Sequence, residues 1–292
     1  MTNPLAFEFM RYALLSAFLV GLVAPAVGVF LVQRRLALMG DGIGHIALTG
    51  VALGFLLGTA PVLTAVVVAT VGAVVIELVR QQGRTSGDVA LALMFYGGIA
   101  GGVLLIGLAP GGTNANLLSY LFGSLTAVSP GDVVVISVLS VVLLVTVAVV
   151  GRQMFAVCHD EEYARVAGLH VRFLNLLLAV MAALTVTIAM RVVGLLLVSA
   201  LMVVPVATAQ QLVRGFRATV VLALGAGVLA AVSGVLGSFY ADVAPGALIV
   251  VIALAGFGVA TVVGVLVRRV RRTDSAHPAE GLALLSEEAT AR

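Results

Sequence analysis

Nine apolar runs fall at about residues 12–32, 37–58, 61–79, 88–108, 131–150, 173–190, 192–213, 218–240 and 246–267. Each is close to the roughly 20 residues that carry a helix across the hydrocarbon of a bilayer. A backbone has no water partner there, so such runs can only be helices, and the chain is predicted to be an all-α polytopic membrane protein with about nine spans. Hydrophobic residues make up 62% of the 292 positions and charged residues 10%, which leaves little for a soluble domain. Residues 172–213 read as a single helix would be about 60 Å long, twice the hydrocarbon thickness. A turn is therefore expected near Met190 and Arg191.

All 16 basic residues are arginine. Without lysine the chain cannot hold the phosphate loop whose lysine reaches a nucleotide, so any active transport must draw on a partner subunit or an ion gradient. The arginines sit in small groups between apolar runs and report topology rather than a nucleic-acid face. In a nine-span alternation, Arg34, Arg35, Arg80, Arg84, Arg152, Arg165, Arg172, Arg214, Arg217, Arg268, Arg269, Arg271, Arg272 and Arg292 share one side. Arg11 and Arg191 fall on the other. The positive-inside rule makes the rich side cytoplasmic, with the N-terminus outside and the C-terminus inside. Glu8 precedes Arg11 and the first run is full length, so no cleavable signal is expected. The single cysteine, Cys158, excludes an internal disulfide and a multi-thiolate cluster.

Three connections stand out. Residues 109–130 form an outer loop predicted to carry a helix from about Leu117 to Leu121, with Asn114, Asn116 and Tyr120 as gate candidates by location alone. The inner loop 151–172 carries Asp160, Glu161 and Glu162, then Ala164, Arg165 and Gly168, the pattern of a short capped helix on the cytoplasmic surface. Residues 1–272 form the transmembrane unit, and 273–292 are expected to be a disordered cytoplasmic tail.

An ionisable side chain inside a span costs about 2.5 to 3.5 kcal/mol, so each one there needs a reason. Most acids escape this test by lying at helix ends or in loops. Asp41 and His45, in Gly40-Asp-Gly-Ile-Gly-His-Ile46, do not. Four residues apart, they stack one turn above the other and offer an oxygen and a nitrogen to a divalent cation such as zinc, manganese or ferrous iron. Gly50, Gly54 and Gly58 lie on the opposite side of that helix, where they read as a packing seam. In the competing reading Asp41 caps a helix that starts at Gly42, and His45 bonds to the cap. Weaker candidates are His159 and His170 beside the acidic helix, the methionines Met94, Met190 and Met202 as soft ligands or core fillers, and Pro205 as a helix breaker. No nucleophile, base and orienter set is present, so catalysis is not expected.

The stretch from Met39 to Gly54 resembles the second-helix signature of membrane permeases of ATP-binding-cassette importers for zinc, manganese and iron, the ABC-3 family. Leu118–Leu125, Asp160–Gly168, Met190–Gly194 with Pro205–Ala209, and Ala244–Leu248 match the same family in the same order. The resemblance implies a type II importer-like homodimeric permease. Each half would dock a cytosolic ATPase through the 160–168 helix, with Asp160, Glu161, Glu162, Ala164, Arg165 and Gly168 at the contact. An extracytoplasmic metal-binding protein would deliver the ion, and Asp41 and His45 would coordinate it within the membrane. The wording is most like zinc-uptake permeases, with manganese the next cargo. Serine often precedes the histidine in relatives, whereas Gly44 stands there in this chain. No cofactor beyond the transported metal is implied. The alternative is an ion-coupled secondary transporter in which the same pair relays protons; the acidic inner helix favours the partner ATPase, because a secondary carrier has no need of a docking surface.

Overall fold

The computed structural model describes residues 4–82, 87–108, 119–126, 128–195 and 197–290, apart from the side chains of 87, 88 and 268–290. After a 3-10 turn at Pro4–Ala6, the helices are α1 (Glu8–Gln33), α2 (Met39–Leu57), α3 (Pro61–Gln81), α4 (Gly87–Leu108), α5 (Pro130–His159), α6 (Glu161–Val166), α7 (Val171–Ala189), α8 (Val198–Leu212), α9 (Phe216–Ala241) and α10 (Pro245–Thr290). There is no strand among the described residues. Helices α1, α2 and α7 are buried along most of their length, while α3, α4, α5, α9 and α10 turn large apolar side chains outward. Val67, Val71 and Val75 on α3 and Val134, Val138, Val141 and Val145 on α5 are more than half exposed, as a lipid-facing surface requires.

Eight of these helices are long and apolar enough to cross a bilayer, one fewer than the run count predicts. The difference lies in the run 192–213, which is helical only as α8, 15 residues or about 22 Å long. The turn expected near Met190 and Arg191 is there, but it continues through residue 195 as irregular backbone rather than starting the next helix. Its hydrogen-bonding groups find partners in the outer connection: Leu195 N–H donates to the Tyr120 carbonyl at 2.9 Å and Ser124 N–H to the Arg191 carbonyl at 3.4 Å. Irregular backbone at membrane depth survives only when protein covers it, and Val192, Val193 and Leu195 are at most 2% exposed. Gly194 takes φ +88° while the Phe122 and Gly123 backbones press on it, and a side chain at Gly246 would collide with the Val193 carbonyl. Apolar run length could not foresee this, because it is a tertiary interlock of three segments.

Other boundaries moved for local reasons. Helix α5 begins at Pro130 behind a capping box, with Asp132 N–H donating to Ser129 Oγ at 3.2 Å and Ser129 N–H to Asp132 Oδ2 at 3.0 Å. It runs to His159, beyond the predicted end at 150, since a helix need not stop where lipid does. Residues 119–122 make one helical turn, whereas Asn114 and Asn116 lie outside the described residues. The backbone is helical to Thr290, past the point at which composition predicts an unstructured tail; Ala, Leu and Glu in that stretch are good helix formers.

Gly194 and Gly246 tolerate little. Gly194→Ala or Gly246→Ala should destabilise the detergent-solubilised protein by about 2 to 3 kcal/mol, through forced backbone strain and displaced packing, read as a lowered Tm. Gly256→Ala, at a position where an added Cβ meets nothing within 4 Å, should leave Tm unchanged.

Candidate metal site and docking helix

Helix α2 starts at Met39, with Leu38 before it making no side-chain cap. Asp41 is thus the third residue of the helix and not its cap, which removes the capping alternative that the sequence left open. Its carboxylate makes no hydrogen bond or ion pair among the described residues; it interacts electrostatically with His45 one turn above. An acid in the first turn also lies at the positive end of the helix dipole. His45 is 7% exposed, and its Nδ1 is buried without a hydrogen-bond partner.

The depth of the pair follows from α3. Gly72 lies midway along that 21-residue helix, about 31 Å long, and is packed by Ile46. His45 therefore sits near the middle of the bundle, with Asp41 about 6 Å nearer the end where the arginines collect.

The glycine seam forms as expected at two of its three positions. A Cβ on Gly50 would come within 2.6 Å of Ala65 Cα, and one on Gly54 within 2.7 Å of Pro61 Cα, so α2 and α3 touch backbone to backbone. Gly58 instead ends α2 in the left-handed conformation, φ +63°, with open space around it. The face opposite the seam is closed and not an open path. Helix α4 covers it: Phe95 meets the His45 ring edge-on at 4.3 Å, and a Cβ on Gly98 would lie 2.5 Å from the His45 carbonyl carbon. Thr49 Oγ1 donates to the Gly98 carbonyl at 2.8 Å and ties the crossing. Behind Gly44 stands the Leu195 carbonyl of the irregular segment.

Met94, Met190 and Met202 are at most 1% exposed. Met94 packs beside Gly42 and Met202 beside Gly40, filling the gaps that small residues leave around α2. His159 stacks on Phe155 and is exposed, as is His170. No group of three or more His, Cys, Asp or Glu side chains that could hold a metal ion occurs among the described residues.

At the arginine-rich end, α6 is held by Asp160, whose Oδ1 accepts from Tyr163 N–H at 2.9 Å, and it ends at Gly168 with φ +81°. The acidic pattern thus marks a real helix, but its residues face different ways. Ala164 is fully buried and Glu161 turns inward to Arg34 at 2.7 Å, so neither lies on the outward face where the resemblance put the ATPase contact, while Glu162, Arg165 and Gly168 are exposed. Tyr163 and Val166, 69% and 88% exposed, complete the outward surface; sequence reasoning missed them because nothing in their spacing sets them apart. Glu77, placed by sequence at a helix end, is 1% exposed on α3 and is satisfied by Arg80 Nε at 2.8 Å and Gln81 Nε2 at 2.9 Å. At the other end Arg191 pairs with Asp132 at 3.1 Å and lies over the Tyr120 ring at 4.8 Å.

Adding a methyl at Gly98 should wedge α4 off the His45 backbone, whereas Gly97 has open space around it. Gly98→Ala should lower Tm by several degrees, on the order of 1 to 3 kcal/mol of overpacking, and Gly97→Ala should not; thermal unfolding of the two variants side by side checks this.

Known proteins resemble this chain in sequence and in fold. The ABC 3 transport family matches residues 6–264. A probable metal transport system membrane protein of Treponema pallidum is 36% identical over 242 residues, 83% of this chain and 90% of that one. The manganese transport system membrane protein MntC of Halalkalibacterium halodurans is 32% identical over 256 residues, covering 88% and 87%. Other relatives carry zinc and iron in their names. The solved structure of PsaBC from Streptococcus pneumoniae in complex with Fab superposes with a TM-score of 0.78 at 32% identity, over 87% of this chain and 91% of that one. The chain belongs to the ABC 3 transport family and is a multi-pass membrane permease of that family.

Proposed function

We propose that this permease moves a divalent transition metal into the cytoplasm and that Asp41 and His45 hold the ion on its way. The observation that carries the reading is the His45 ring, buried at mid-depth beside an unpaired carboxylate with a nitrogen that has no partner. A buried polar atom without a partner costs about 1 to 3 kcal/mol, and a passing cation is a partner for both groups. Two donors per chain bind weakly, which suits a carrier; a second copy of the chain would bring the set to two carboxylates and two imidazoles. An imidazole donor favours zinc over manganese, while the carboxylate is a ligand that suits manganese as well.

In this reading α8 and the irregular segment before it together make a ninth crossing, so the arginine-rich end faces the cytoplasm with the C-terminus inside and the N-terminus outside. A separate ATPase docks on the exposed surface of α6, where Tyr163 and Val166 supply apolar contact and Glu162 and Arg165 a polar rim. The permease itself hydrolyses nothing, and an extracytoplasmic binding protein hands over the ion at the Asp132–Arg191 end. Packing of α4 over His45 closes one face of the pair, and alternating access requires that the site open to one side at a time. Family membership weighs against the self-sufficient secondary carrier.

Asp41→Ala or His45→Ala should reduce zinc and manganese uptake to background in cells that carry the whole importer, while membrane insertion and ATPase co-purification persist. Wild-type uptake by both variants would reject the site. Tyr163→Ala with Val166→Ser should instead weaken ATPase co-purification by about tenfold or more, as loss of central apolar anchors does.

A further inference from the structure

Helix α6 carries the partner's push only if something joins it to the helix that holds the ion. Besides the buried Ala164, its contact with the rest of the chain includes one specific polar link. Arg34, just past the end of α1, has a side chain 8% exposed; its Nη2 donates to Glu161 Oε2 at 2.7 Å and its Nη1 to Asn175 Oδ1 on α7. Asn175 is itself 5% exposed. Glu161 is the first residue of α6, is 40% exposed along its side chain, and takes a second, looser contact from Arg165 at 3.3 Å. One guanidinium thus fastens three elements: the docking helix, α7 and the end of α1.

The link from Arg34 to α2 is short and stiff. Arg35 adopts φ +60°, Arg35 N–H donates to the Val32 carbonyl at 3.1 Å, Leu36 N–H to Leu31 at 2.8 Å and Met39 N–H to Leu36 at 2.9 Å. Helix α2 then begins at Met39, and Asp41 lies in its first turn. A displacement of α6 that drags Glu161 therefore acts on Arg34, and through a hydrogen-bonded turn with no slack it acts on the first turn of α2. A cavity of about 730 Å³ beside Glu161, lined also by Arg80, Gln81, Arg165 and Arg172, leaves the pair room to move on its outer side.

We infer that the Arg34–Glu161 ion pair is the joint through which the docking helix moves α2, with Arg34 acting as a positioning residue for the ion site. The inference rests on the importer reading above, but its test counts ions per ATP and so does not depend on which residues bind them. The probe is the assembled importer in proteoliposomes, with zinc or manganese ions as cargo. In Glu161→Gln and Arg34→Lys, ATPase co-purification and ATP hydrolysis should stay near wild type while ions moved per ATP fall about three- to tenfold, the range over which coupling contacts act. Arg34→Glu should lose more, and adding Glu161→Arg should restore part of it. An unchanged ratio in Glu161→Gln overturns the joint. Loss of ATPase co-purification in that variant also overturns it, because the pair would then serve docking alone. Should the charge reversal fail to insert, the two conservative variants still decide. A wild-type complex that moves neither metal would instead overturn the importer reading.

Discussion

Helix α2 is gripped at its backbone from two sides, and the geometry around Asp41 and His45 depends on that grip. Lipid tails are as apolar as leucine, so burial of side chains gives no net drive between helices in a membrane; close van der Waals packing and a few hydrogen bonds must hold them. Gly50 and Gly54 let α3 approach to contact distance, and Gly98 lets α4 do the same against the His45 peptide. The Thr49 hydroxyl then finds the Gly98 carbonyl one turn above the histidine. With both neighbours this close, the His45 ring has few places to go, and its edge lands on Phe95. Rigid placement of the ring is what allows a buried nitrogen to remain without a partner. In a looser bundle the ring would rotate toward any available carbonyl.

A second constraint acts from the opposite end. The irregular backbone after α7 shortens α8, and it is stabilised only because residues 120–124 and the start of α10 close over it. Its Leu195 carbonyl faces Gly44, next to His45 in the chain. The outer connection, the broken helix and the first turns of α2 are therefore one contiguous packed unit. Arg191 extends that unit to Asp132 and to the Tyr120 face, so a change at the outer surface has a short physical route to α2.

Much of this was legible in the sequence, for reasons that differ by feature. Span positions follow from apolar run length, which the bilayer enforces directly. The stacking of Asp41 over His45 follows from helix periodicity, and the Gly50–Gly54 seam from the same periodicity plus the absence of side chains. The acidic cluster correctly marked a short helix at residues 161–166. What sequence could not give was anything decided by a partner element. Phe95 covers His45 because α4 crosses there, Gly58 ends a helix instead of packing, and the run 192–213 breaks because a distant loop supplies its hydrogen bonds. Arg34 read as a topology signal, which is sound for a population of arginines and says nothing about one. Its inward course appears only when Glu161 and Asn175 are placed around it.

Two of the ion pairs at the arginine-rich end show why burial alone does not identify a working contact. Glu77 and Arg80 form the pair with the more deeply buried carboxylate, yet both belong to α3 at a spacing of three residues, so they move together whatever the helix does. Such a pair neutralises charge within α3 and touches another element only through Gln81, which Glu77 holds against the Arg172 carbonyl. Arg34 and Glu161 lie 127 residues apart on elements that reach each other only through side chains. Because one end is sheltered and the other partly open to water, the pair avoids the full desolvation cost of a deeply buried salt bridge, while its inner half keeps a fixed geometry. A contact that must hold through a stroke and yet not lock the bundle is best placed at that intermediate exposure.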